Sequence, residues 1–518
     1  MKALLVTGLL AEKAVERYAN KSNVESHVFV LKVPVAALLS PEQIAKALKK
    51  ADAQGFDVIL VPGLMRGDTA IIADSLGTPT FKGPRYAADL PTVLDALNRV
   101  KLSTVTPACD LLRDELRQKA LLELETVEKN RVALLKNPRN MLIADLAVGK
   151  DFPMRVLAEI VDAALMSSEE IQRLAKHFVE MGADLIDVGM VAGESRPKDA
   201  RRGVEVVKKA VDVPLSIDTL DPDEIREAVA VGADLILSVD AGNVEQVATF
   251  AGDVAAVVIP TNQREGYFPQ KAENRIHFLE DIIKKARALG MKRLMADLIL
   301  EPSNVLESMV AFRDFASRNP DVPLFIGVSN VTELFDADSV GINALLARLS
   351  AEVNASMLLA TEKSSKAKGT VREEAIAAKM MFIAQKRGSV PKDLGLDLLF
   401  LKDKRNREEP YDRTLEIEIN SVAASEKSES VVQDEKGSFR IVVDRVDGNI
   451  VALHYTSAEF EKPVNIIKGK TAESVYAKIA ELGLVTRTDH AAYLGNELAK
   501  AEISLKTGKQ YIQDFCLF

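Results

Sequence analysis

The sequence is poor in cysteine and lacks any apolar segment long enough to cross a membrane. Its two cysteines, Cys109 and Cys516, have neither metal-site spacing nor the number that a disulfide framework needs, which favours a reducing cell interior. No apolar run reaches the ~20 residues of a spanning helix, and the first residues do not combine a basic flank, an apolar run and a cleavage site. A cytoplasmic location is therefore expected.

Basic excess and glycine-rich phosphate loops are also missing. Lysine and arginine number 67 against 76 aspartates and glutamates, a formal charge of -9, so nucleic acid is not expected as the main partner. Neither GxGxxG nor a Walker loop occurs. The chain has 518 residues, of which 47% are hydrophobic, and this length predicts two or three domains.

Residues 1–109 have the pattern of a small, doubly wound α/β domain of the Rossmann or flavodoxin type. KALLVTG, HVFVLKVP and DVILVPG are typical of buried parallel strands, and Ser40 followed by Pro41 predicts a helix start between the second and third. A ligand site at the strand ends would use Thr7, Gly8, Gly63 and Arg66, but a structural or interaction role is favoured. Residues 110–138 are predicted to form one long connecting helix.

Residues 139–400 contain the pattern of a (β/α)8 barrel. Eight strand candidates recur, and most intervals hold a helical pattern; in one of them Asp221 caps the helix and Gly232 ends it. An open doubly wound sheet is the alternative, because periodicity does not reveal closure. The eight candidates are MLIADLA, ADLIDVGM, PLSIDT, ADLILSVDA, VAAVVIP, RLMADLIL, PLFIGVSN and ASMLLAT.

The last part of the chain is predicted to be a polar connection at 401–437 and an α+β domain at 438–518. LEIEI within the connection is a possible strand. SFRIVVDR and NIVALHYT predict a hairpin with Asp447 and Gly448 in its turn, followed by two helices. On the second helix His490, Tyr493 and Glu497 share one face; they either cover a site or serve the packing of the domain, and the second reading is favoured.

An acid or amide follows each barrel strand candidate. Active sites of such barrels lie at the carboxyl ends of the strands, and carboxylates gathered in one concave pocket repel one another. Each residue alone is as well explained as a helix cap or turn residue, but the set indicates a ligand rich in N–H donors, or a cation. The set comprises Asp145, Asp187, Asp218, Asp240, Asn262, Asp297, Asn330 and Glu362.

The motifs GADLIDVG, AGESRP, VPLSIDT and GADLIL, in this order and spacing, resemble the pterin-binding barrel of dihydropteroate synthases and pterin-dependent methyltransferases. In this resemblance Asp218 matches the pterin-contacting aspartate of SIDT, and Asp297 matches the aspartate of the synthase segment DPGFGF. GVSN at 327–330 is similar to the methyltransferase motif GxSN. The layout of all three domains, with the ending DHAAYLGNELAKAE, resembles the archaeal dihydropteroate-synthase-related proteins, found in organisms that make tetrahydromethanopterin.

The sequence departs from the synthases in the half of the pocket that holds diphosphate and aminobenzoate. It lacks the NVTPDSF loop whose asparagine helps to hold metal and diphosphate, the lysine of SRK and the final Arg-x-His, and Leu237 replaces the asparagine of IIND. Other basic groups are available: Lys363, Lys366 and Lys368 follow strand eight, and Arg196, Lys198 and Arg264 lie in other loops. Solvated loop residues are the more common explanation for such groups.

The resemblance implies a pterin-binding transferase that joins a dihydropterin-methyl diphosphate to an arylamine in tetrahydromethanopterin or folate-like biosynthesis, and a homodimer is possible. The alternatives are pterin-dependent methyl transfer, with Asn330 near the methylated nitrogen, and non-catalytic pterin binding. Mg²⁺ is a possible cofactor, held by Asp145. The expected catalytic residues are Asp218, Asp297 and Asp145, the expected pterin contacts are Asp187, Glu194, Asp218, Asp240, Asn262, Asp297, Ser329 and Asn330, and the expected phosphate contacts are Arg196, Lys363 and Lys366.

Overall fold

The computed structural model of the chain describes residues 1–392, 394–402, 411, 413–414, 417, 422–424, 434–456 and 461–518. The chain divides into two compact units, residues 1–129 with 386–421 and residues 130–385 with 422–518. Among the described residues, no helix has both the length and the apolar character needed to cross a membrane. The strand considered in LEIEI falls, apart from Ile417, outside the described residues.

The first unit contains a four-stranded parallel sheet with the strand order β2-β1-β3-β4. Ser40 and Gln43 form a capping box at the start of its second helix, as the Ser-Pro sequence predicts. The strands are β1 Lys2–Gly8, β2 Glu25–Leu31, β3 Val58–Val61 and β4 Thr80–Lys82; the helices are α1 Glu12–Ala19, α2 Pro41–Lys50, α3 Ala70–Leu76, α4 Leu90–Asp95 and α5 Ala108–Lys129, with 3-10 turns at Leu9–Ala11, Ala36–Leu38 and Ala87–Asp89.

This sheet is covered on both faces, which confirms the doubly wound α/β prediction. Leu4 of β1 belongs to an apolar cluster that contains Ile72 of α3. The next residue, Leu5, belongs to a second cluster with Val15 of α1. Because successive strand residues point to opposite faces, α1 and α3 cover opposite faces of the sheet. The change of face falls between the neighbouring strands β1 and β3.

A cavity of about 210 Å³, with Thr7 in its wall, lies at the carboxyl end of β1. Gly8, which lines the cavity, and Gly63, which follows β3, do not form a phosphate cradle. A Cβ atom on Gly8 would lie 2.7 Å from the backbone nitrogen of Ala36, and one on Gly63 would lie 2.5 Å from the carbonyl oxygen of Gly83. These glycines therefore make room for the loops of the chain itself, whereas a dinucleotide fingerprint uses them to make room for a pyrophosphate.

The connecting helix is shorter than the predicted range 110–138. Helix α5 ends at Lys129, and a separate short helix, α6, covers Arg131–Leu134. Asn130 separates the two helices, and asparagine has a low helix propensity.

The second unit contains a closed barrel of eight parallel strands with helices around it, which confirms the (β/α)8 prediction over the open sheet. Seven of the eight strand candidates contain a barrel strand. The barrel strands are β7 Arg155–Ile160, β8 Leu185–Gly189, β9 Leu215–Asp218, β10 Leu235–Val239, β11 Ala255–Val258, β12 Leu294–Ala296, β13 Leu324–Ile326 and β14 Ala355–Thr361. The helices are α7 Ser168–Met181, α8 Pro197–Ala210, α9 Pro222–Ala230, α10 Val244–Ala248, α11 Ala272–Ala288, α12 Val305–Arg318, α13 Ser329–Thr332, α14 Ser339–Glu352 and α15 Thr370–Arg387, with 3-10 turns at Ala163–Leu165 and Ser365–Ala367.

The prediction for the first barrel strand is wrong. MLIADLA forms no barrel strand; it spans the turn of an antiparallel hairpin made of β5, Asn140–Ile143, and β6, Leu146–Gly149. Ala144 has a φ of 49°, a left-handed conformation that interrupts an extended run. The true first strand, Arg155–Ile160, carries a charge near each end and so resembles a surface segment in the sequence.

The hairpin closes the amino-terminal end of the barrel. Ile143 and Val148 are fully buried in the barrel core. The Nε atom of Arg155, at the start of β7, donates a hydrogen bond to the carbonyl of Ala147 at 2.9 Å. The hairpin therefore lies at the end of the barrel opposite to the carboxyl ends of the strands.

The C-terminal domain is a three-stranded antiparallel sheet packed against two helices, which matches the predicted α+β class. Gly448 in the hairpin turn has a φ of 62°, a conformation that favours glycine. The elements are β15 Ser438–Asp444, β16 Asn449–Tyr455, β17 Asn465–Gly469, α16 Ala472–Glu481 and α17 Thr488–Thr507.

The polar face predicted on the last helix serves the packing of this domain. His490, which belongs to this face, is buried. The hydroxyl of Tyr493 donates to Asp514 Oδ1 at 2.7 Å, and the hydroxyl of Tyr511 donates to Glu497 Oε2 at 2.8 Å. These bonds hold the C-terminal segment on α17, which supports the packing interpretation.

Because the hairpin fills the amino-terminal end of the barrel core, Ile143→Ala should destabilise the protein by about 2–5 kcal/mol. The control is Leu142→Ala, since Leu142 is 37% exposed on the same strand, and it should have little effect. Urea unfolding followed by circular dichroism measures both. Equal losses in the two variants would contradict the assignment of the hairpin as a plug.

Candidate active site

Three carboxyl side chains meet where the neighbouring strands β7, β8 and β9 end. Glu159 pairs in register with Asp187, and Gly189 pairs with Asp218. One carboxylate oxygen from each of Glu159, Asp187 and Asp218 lies within 4.8 Å of the other two. We call these three residues the acidic triad. Their backbones are fixed by the ladder hydrogen bonds of the barrel, so the carboxyl groups cannot move far apart.

Asp187 is the most deeply buried member of the acidic triad, with no exposed surface. The hydroxyl of Ser216, on the next strand, donates a short hydrogen bond to Asp187 Oδ1. Asp187 Oδ2 is buried and has no hydrogen-bond partner. Burial, followed by the charges of Asp218 and Glu159, raises the pKa of Asp187 well above its ordinary value.

The other two members also hold protons more strongly than an exposed acid does. Burial, together with the charges of Asp218 and Asp162, raises the pKa of Glu159 to about 8. Burial raises the pKa of Asp218 to about 7. The acidic triad therefore does not carry three full charges near neutral pH, and a cation or a set of N–H donors would favour its ionised form.

Asp297 adds a fourth buried carboxyl group from β12, three strands further round the barrel. The backbone N–H of Ile299 donates to its Oδ1 at 2.8 Å. Burial raises the pKa of Asp297 to about 7, and the charge of Asp218 acts in the same direction. Asp218 and Asp297 therefore interact electrostatically across the mouth of the barrel.

A buried arginine shapes the loop that carries Asp297. Arg275 has no exposed surface and donates to the carbonyl of Ile299 at 3.0 Å and to the hydroxyl of Ser308 at 3.1 Å. It also forms a short ion pair with Glu301. This network fixes the chain directly after β12, where Ile299 has a φ of 63°.

We call the space at the carboxyl ends of the strands, next to these four carboxyl groups, the cup. The upper layer of the barrel core supplies its apolar walls. Ile259 and Leu359 are 8% and 9% exposed, whereas the other buried members of the core cluster are at most 2% exposed. Leu220 and Ile299, which follow β9 and β12, pack partly buried against this cluster. A cup with acidic groups and apolar walls suits a flat, nitrogen-rich ring.

Glu159 is the important residue that the sequence prediction missed. It lies on the first barrel strand, Arg155–Ile160, whereas the sequence prediction placed the first barrel strand in the hairpin segment. The capping box of Ser167 and Glu170 marks the start of the helix after this strand. Searching upstream of that helix for the strand of the same β–α unit leads to RVLAEI, and so to Glu159.

The prediction that Asp145 ends the first barrel strand is wrong. Asp145 lies exposed in the turn of the β5–β6 hairpin, which packs at the amino-terminal end of the barrel. The misassigned strand is the cause. Asp145 is thus separated by the length of the barrel from Asp218 and Asp297, and the metal role proposed for it has no structural basis.

Asp240 is buried, but its carboxylate is occupied by the loops beside it. Oδ1 accepts from the backbone N–H groups of Gly242 and Asn243 at 2.8 and 3.1 Å. Oδ2 accepts from the Thr261 hydroxyl at 3.0 Å and from the N–H of Gln263 at 2.8 Å. These bonds explain Asp240 as an anchor of two loops, and its predicted pterin contact stays a prediction.

Glu194 and Arg196 in the AGESRP loop bind each other. Arg196 Nε donates to Glu194 Oε2 at 2.7 Å. The backbone N–H of Arg196 donates to Glu224 Oε1 at 2.7 Å, which holds the loop against α9. The predicted phosphate contact of Arg196 would require its guanidinium group to leave Glu194.

The lysines after strand eight also have acidic or carbonyl partners. Lys363 Nζ lies 2.9 Å from Asp162 Oδ2. Lys366 Nζ donates to the carbonyl of Phe335 and lies 3.6 Å from Asp336. The mouth therefore gathers these lysines as predicted, but no cation among them is held ready for a diphosphate without competition from a neighbouring oxygen.

The remaining predicted residues differ in whether their polar atoms already have hydrogen-bond partners within the chain. The hydroxyl of Ser329 accepts from the backbone N–H of Thr361 at 2.7 Å, so it joins two strand ends. Asn330 is exposed, and its Nδ2 donates to the carbonyl of Leu300 at 3.3 Å. Asn262 Oδ1 is buried without a hydrogen-bond partner, which leaves an acceptor for a ligand N–H group.

Comparison with known proteins agrees with this geometry. Residues 159–368 match the family described as pterin binding enzyme, residues 1–85 match a family of unknown function, DUF6513, and residues 433–514 match the family PterinBD-DUF4346. The barrel is thus of the pterin-binding type.

A relative matches over the whole chain, and solved structures match over about half of it. The "Uncharacterized protein MJ0107" of Methanocaldococcus jannaschii is 41% identical, over 100% of this chain and 99% of that protein. A Yersinia pestis dihydropteroate synthase with a pterine-sulfa conjugate is 18% identical over 48% of this chain and 99% of its own, with a TM-score of 0.39. The Xanthomonas albilineans synthase in complex with 7,8-dihydropteroate is 20% identical over 49% of this chain and 99% of its own, with a TM-score of 0.38.

The chain belongs to the family of the M. jannaschii protein.

The raised pKa values make the stability of the protein depend on pH. Because Glu159, Asp218 and Asp297 titrate near 8, 7 and 7 in the folded chain, the folded state binds more protons than the unfolded chain between pH ~4 and 8. The unfolding free energy should therefore fall as the pH rises through this range. The share of Asp297 is at most about 4 kcal/mol, since its pKa is raised by about three units and one unit corresponds to about 1.4 kcal/mol.

Urea unfolding at pH 5.5, 7.0 and 8.5 measures this effect in the natural protein and in Asp297→Asn. The variant cannot ionise at this position, so its stability should fall less over the same interval. An identical pH dependence in both proteins would contradict the assignment of a raised pKa to Asp297.

Proposed function

We propose that the barrel binds a reduced pterin and transfers it, joining a dihydropterin-methyl diphosphate to an arylamine with release of diphosphate, in tetrahydromethanopterin or folate-like biosynthesis. The observation that carries this proposal is that the carboxyl groups of Asp218 and Asp297 lie at the same end of the barrel, close enough for the charge of Asp218 to raise the pKa of Asp297. Its support from the comparisons is the match of residues 159–368 to the pterin binding enzyme family.

The chemistry of a pterin suits this cup. Its pyrimidinone edge presents a ring N–H beside an exocyclic amino group, and one carboxylate can accept from both. A second carboxylate can accept from the opposite side of the ring system. In this proposal Asp218 and Asp297 orient the pterin, the unpartnered Oδ1 of Asn262 accepts a further hydrogen bond, and Leu220 and Ile299 pack against the ring faces.

N–H donors also relieve the cost of the cup itself. Ionised carboxylates packed together in a buried site repel one another, and donors from a ligand stabilise their charged forms. Pterin binding should therefore release protons near pH 7. The aspartates would act by orienting and polarising the pterin, while the apolar walls would exclude water from the reacting methylene carbon.

The arrival of a diphosphate requires positive charge at the mouth. Lys363 and Lys366 remain the candidates for this role, but each would have to exchange a present partner, Asp162 or the carbonyl of Phe335, for a phosphate oxygen. A divalent cation would supply charge without such an exchange and would neutralise the leaving group. Mg²⁺ therefore stays part of the proposal, with ligands other than Asp145.

The decisive experiment measures turnover. The full-length protein is incubated with dihydropterin-methyl diphosphate, Mg²⁺ and a panel of arylamines, and released diphosphate is quantified together with the coupled product by mass spectrometry. The proposal expects stoichiometric diphosphate and product with at least one arylamine. Absence of both with every arylamine would refute the synthase reaction.

Methyl transfer from a methylated reduced pterin is the second candidate. The observation that favours it is that the mouth cations Lys363, Lys366 and Arg196 are all engaged by oxygens of the chain, which is no handicap for a reaction without diphosphate. Asn330, exposed at the rim, would then face the methylated nitrogen. Corrinoid-dependent loss of the methyl group would establish this reaction. Pterin binding without either turnover would support the non-catalytic alternative.

Asp218→Asn and Asp297→Asn should each weaken binding of a hydroxymethyl-dihydropterin by about 10- to 100-fold. An amide cannot accept two N–H bonds through ionised oxygens, and charge-assisted hydrogen bonds contribute about 1.5–3 kcal/mol. Isothermal titration calorimetry at pH 7.5 measures the affinity.

The matched control is Asp145→Asn, which makes the same chemical change at an exposed residue of the opposite barrel end and should leave the affinity unchanged. Unaltered binding in the Asp218 and Asp297 variants would move the pterin away from this cup.

A further inference from the structure

We infer that the acidic triad, Glu159, Asp187 and Asp218, is a divalent-cation site built into the first three barrel strands. The inference does not depend on pterin binding, because it concerns the ion alone. Three observations carry it: the spacing of the carboxylate oxygens, a buried oxygen without a partner, and a glycine that makes room for one ligand.

The spacing of the oxygens fits a shared cation. One oxygen from each residue lies within 4.8 Å of the other two. Oxygen ligands bind Mg²⁺, Mn²⁺ or Ca²⁺ at about 2.0–2.6 Å, so two ligands on opposite sides of one ion lie about 4–5 Å apart and adjacent ligands lie closer. The three oxygens can therefore reach one ion with small side-chain movements. An all-carboxylate set favours a hard cation over zinc or copper.

The unpartnered oxygen shows where the ion would bind. Ser216 donates to Asp187 Oδ1, which fixes the orientation of the carboxylate and leaves Oδ2 buried without a partner. Asp187 has no exposed surface, so water does not reach this oxygen from the bulk solvent. A cation held jointly with Glu159 and Asp218 satisfies Asp187 Oδ2 directly. Ser216 is the positioning residue for this ligand.

Gly189 leaves the space that Glu159 occupies. A Cβ atom at Gly189 would lie 2.4 Å from Glu159 Oε1 and 3.2 Å from the carbonyl oxygen of Ile160. Any larger residue would therefore push the Glu159 carboxylate out of its present place. Since the obstructed atom is the end of a flexible side chain, the barrel can keep its fold while the site loses a ligand.

The site leaves room for a second ligand. The three carboxylates belong to neighbouring strands and approach from one side, so the remaining coordination positions face the mouth and would hold water or a substrate oxygen. Asp297 is not among the three proposed cation ligands, so its carboxyl group stays available to N–H donors of a second ligand.

The test uses Mn²⁺ as the probe and the full-length chain freed of metal by EDTA and gel filtration. Electron paramagnetic resonance counts the bound Mn²⁺, calorimetry gives the affinity, and water-proton relaxation reports whether the bound ion keeps water. We expect one site per chain with retained water. Glu159→Gln, Ser216→Ala and Gly189→Ala should each weaken binding at least about tenfold, and Mg²⁺ should compete.

Two controls separate loss of the site from damage to the fold. Gly341→Ala adds a methyl group where no atom lies within 4 Å, and Asp145→Asn removes an exposed carboxylate at the other barrel end; both should bind Mn²⁺ like the natural protein. Circular dichroism should show that all five variants remain folded. Failure of the natural protein to bind Mn²⁺, or unchanged binding by both Glu159→Gln and Gly189→Ala, would overturn the inference.

The result is distinguishable from that for the proposed function. Titration of the metal-free protein with hydroxymethyl-dihydropterin tests the pterin site alone. Mn²⁺ binding without pterin binding would retain the cation site and reject the pterin proposal, and pterin binding without any Mn²⁺ binding would do the reverse.

Discussion

The organisation of this barrel depends on electrostatic repulsion between carboxyl groups that the strands hold together. Glu159, Asp187 and Asp218 project from three neighbouring strands, and the ladder hydrogen bonds of a closed barrel prevent these strands from separating. Burial removes the water that would screen the charges, so protons remain bound near neutral pH. Such a cluster is unfavourable in an empty barrel. A cation or a set of N–H donors would favour the ionised form of this cluster.

The two ends of the barrel differ: one contributes apolar burial, and the other carries the polar groups of the candidate site. At the amino-terminal end the β5–β6 hairpin inserts Ile143 and Val148 into the core, which adds apolar burial. At the carboxyl end Arg275 ties the segment after β12 to Ser308, and the bonds of Asp240 tie two further loops. The carboxyl end of the barrel thus contains both polar groups whose hydrogen bonds are made within the chain and polar atoms without a hydrogen-bond partner. Asp187 Oδ2 and Asn262 Oδ1 belong to the second kind.

The charge pairs at the mouth distinguish the two halves of the ligand site. The inner half offers carboxylates with few internal partners, which suits the donor-rich edge of a heterocycle. The outer half offers cations that are already paired, as in Lys363 with Asp162 and Arg196 with Glu194. An anionic group arriving there competes with these pairs, and a divalent ion at the acidic triad would lower the cost of its approach.

Much of the fold could be predicted from the sequence, because apolar runs separated by capped helices depend on local order along the chain. Seven barrel strands, the α/β and α+β domains, and the acids Asp187, Asp218 and Asp297 follow from such patterns. Local patterns could not predict the first barrel strand, since Arg155 becomes buried and Glu159 half-buried only through partners that are distant in sequence. The pairing of the strands decided the remaining features of the site. Only the closed sheet brings Glu159 against Asp187 and places Asp145 at the opposite end of the barrel. It also determines which carboxylates lose water, because burial and charge coupling are properties of neighbours in space.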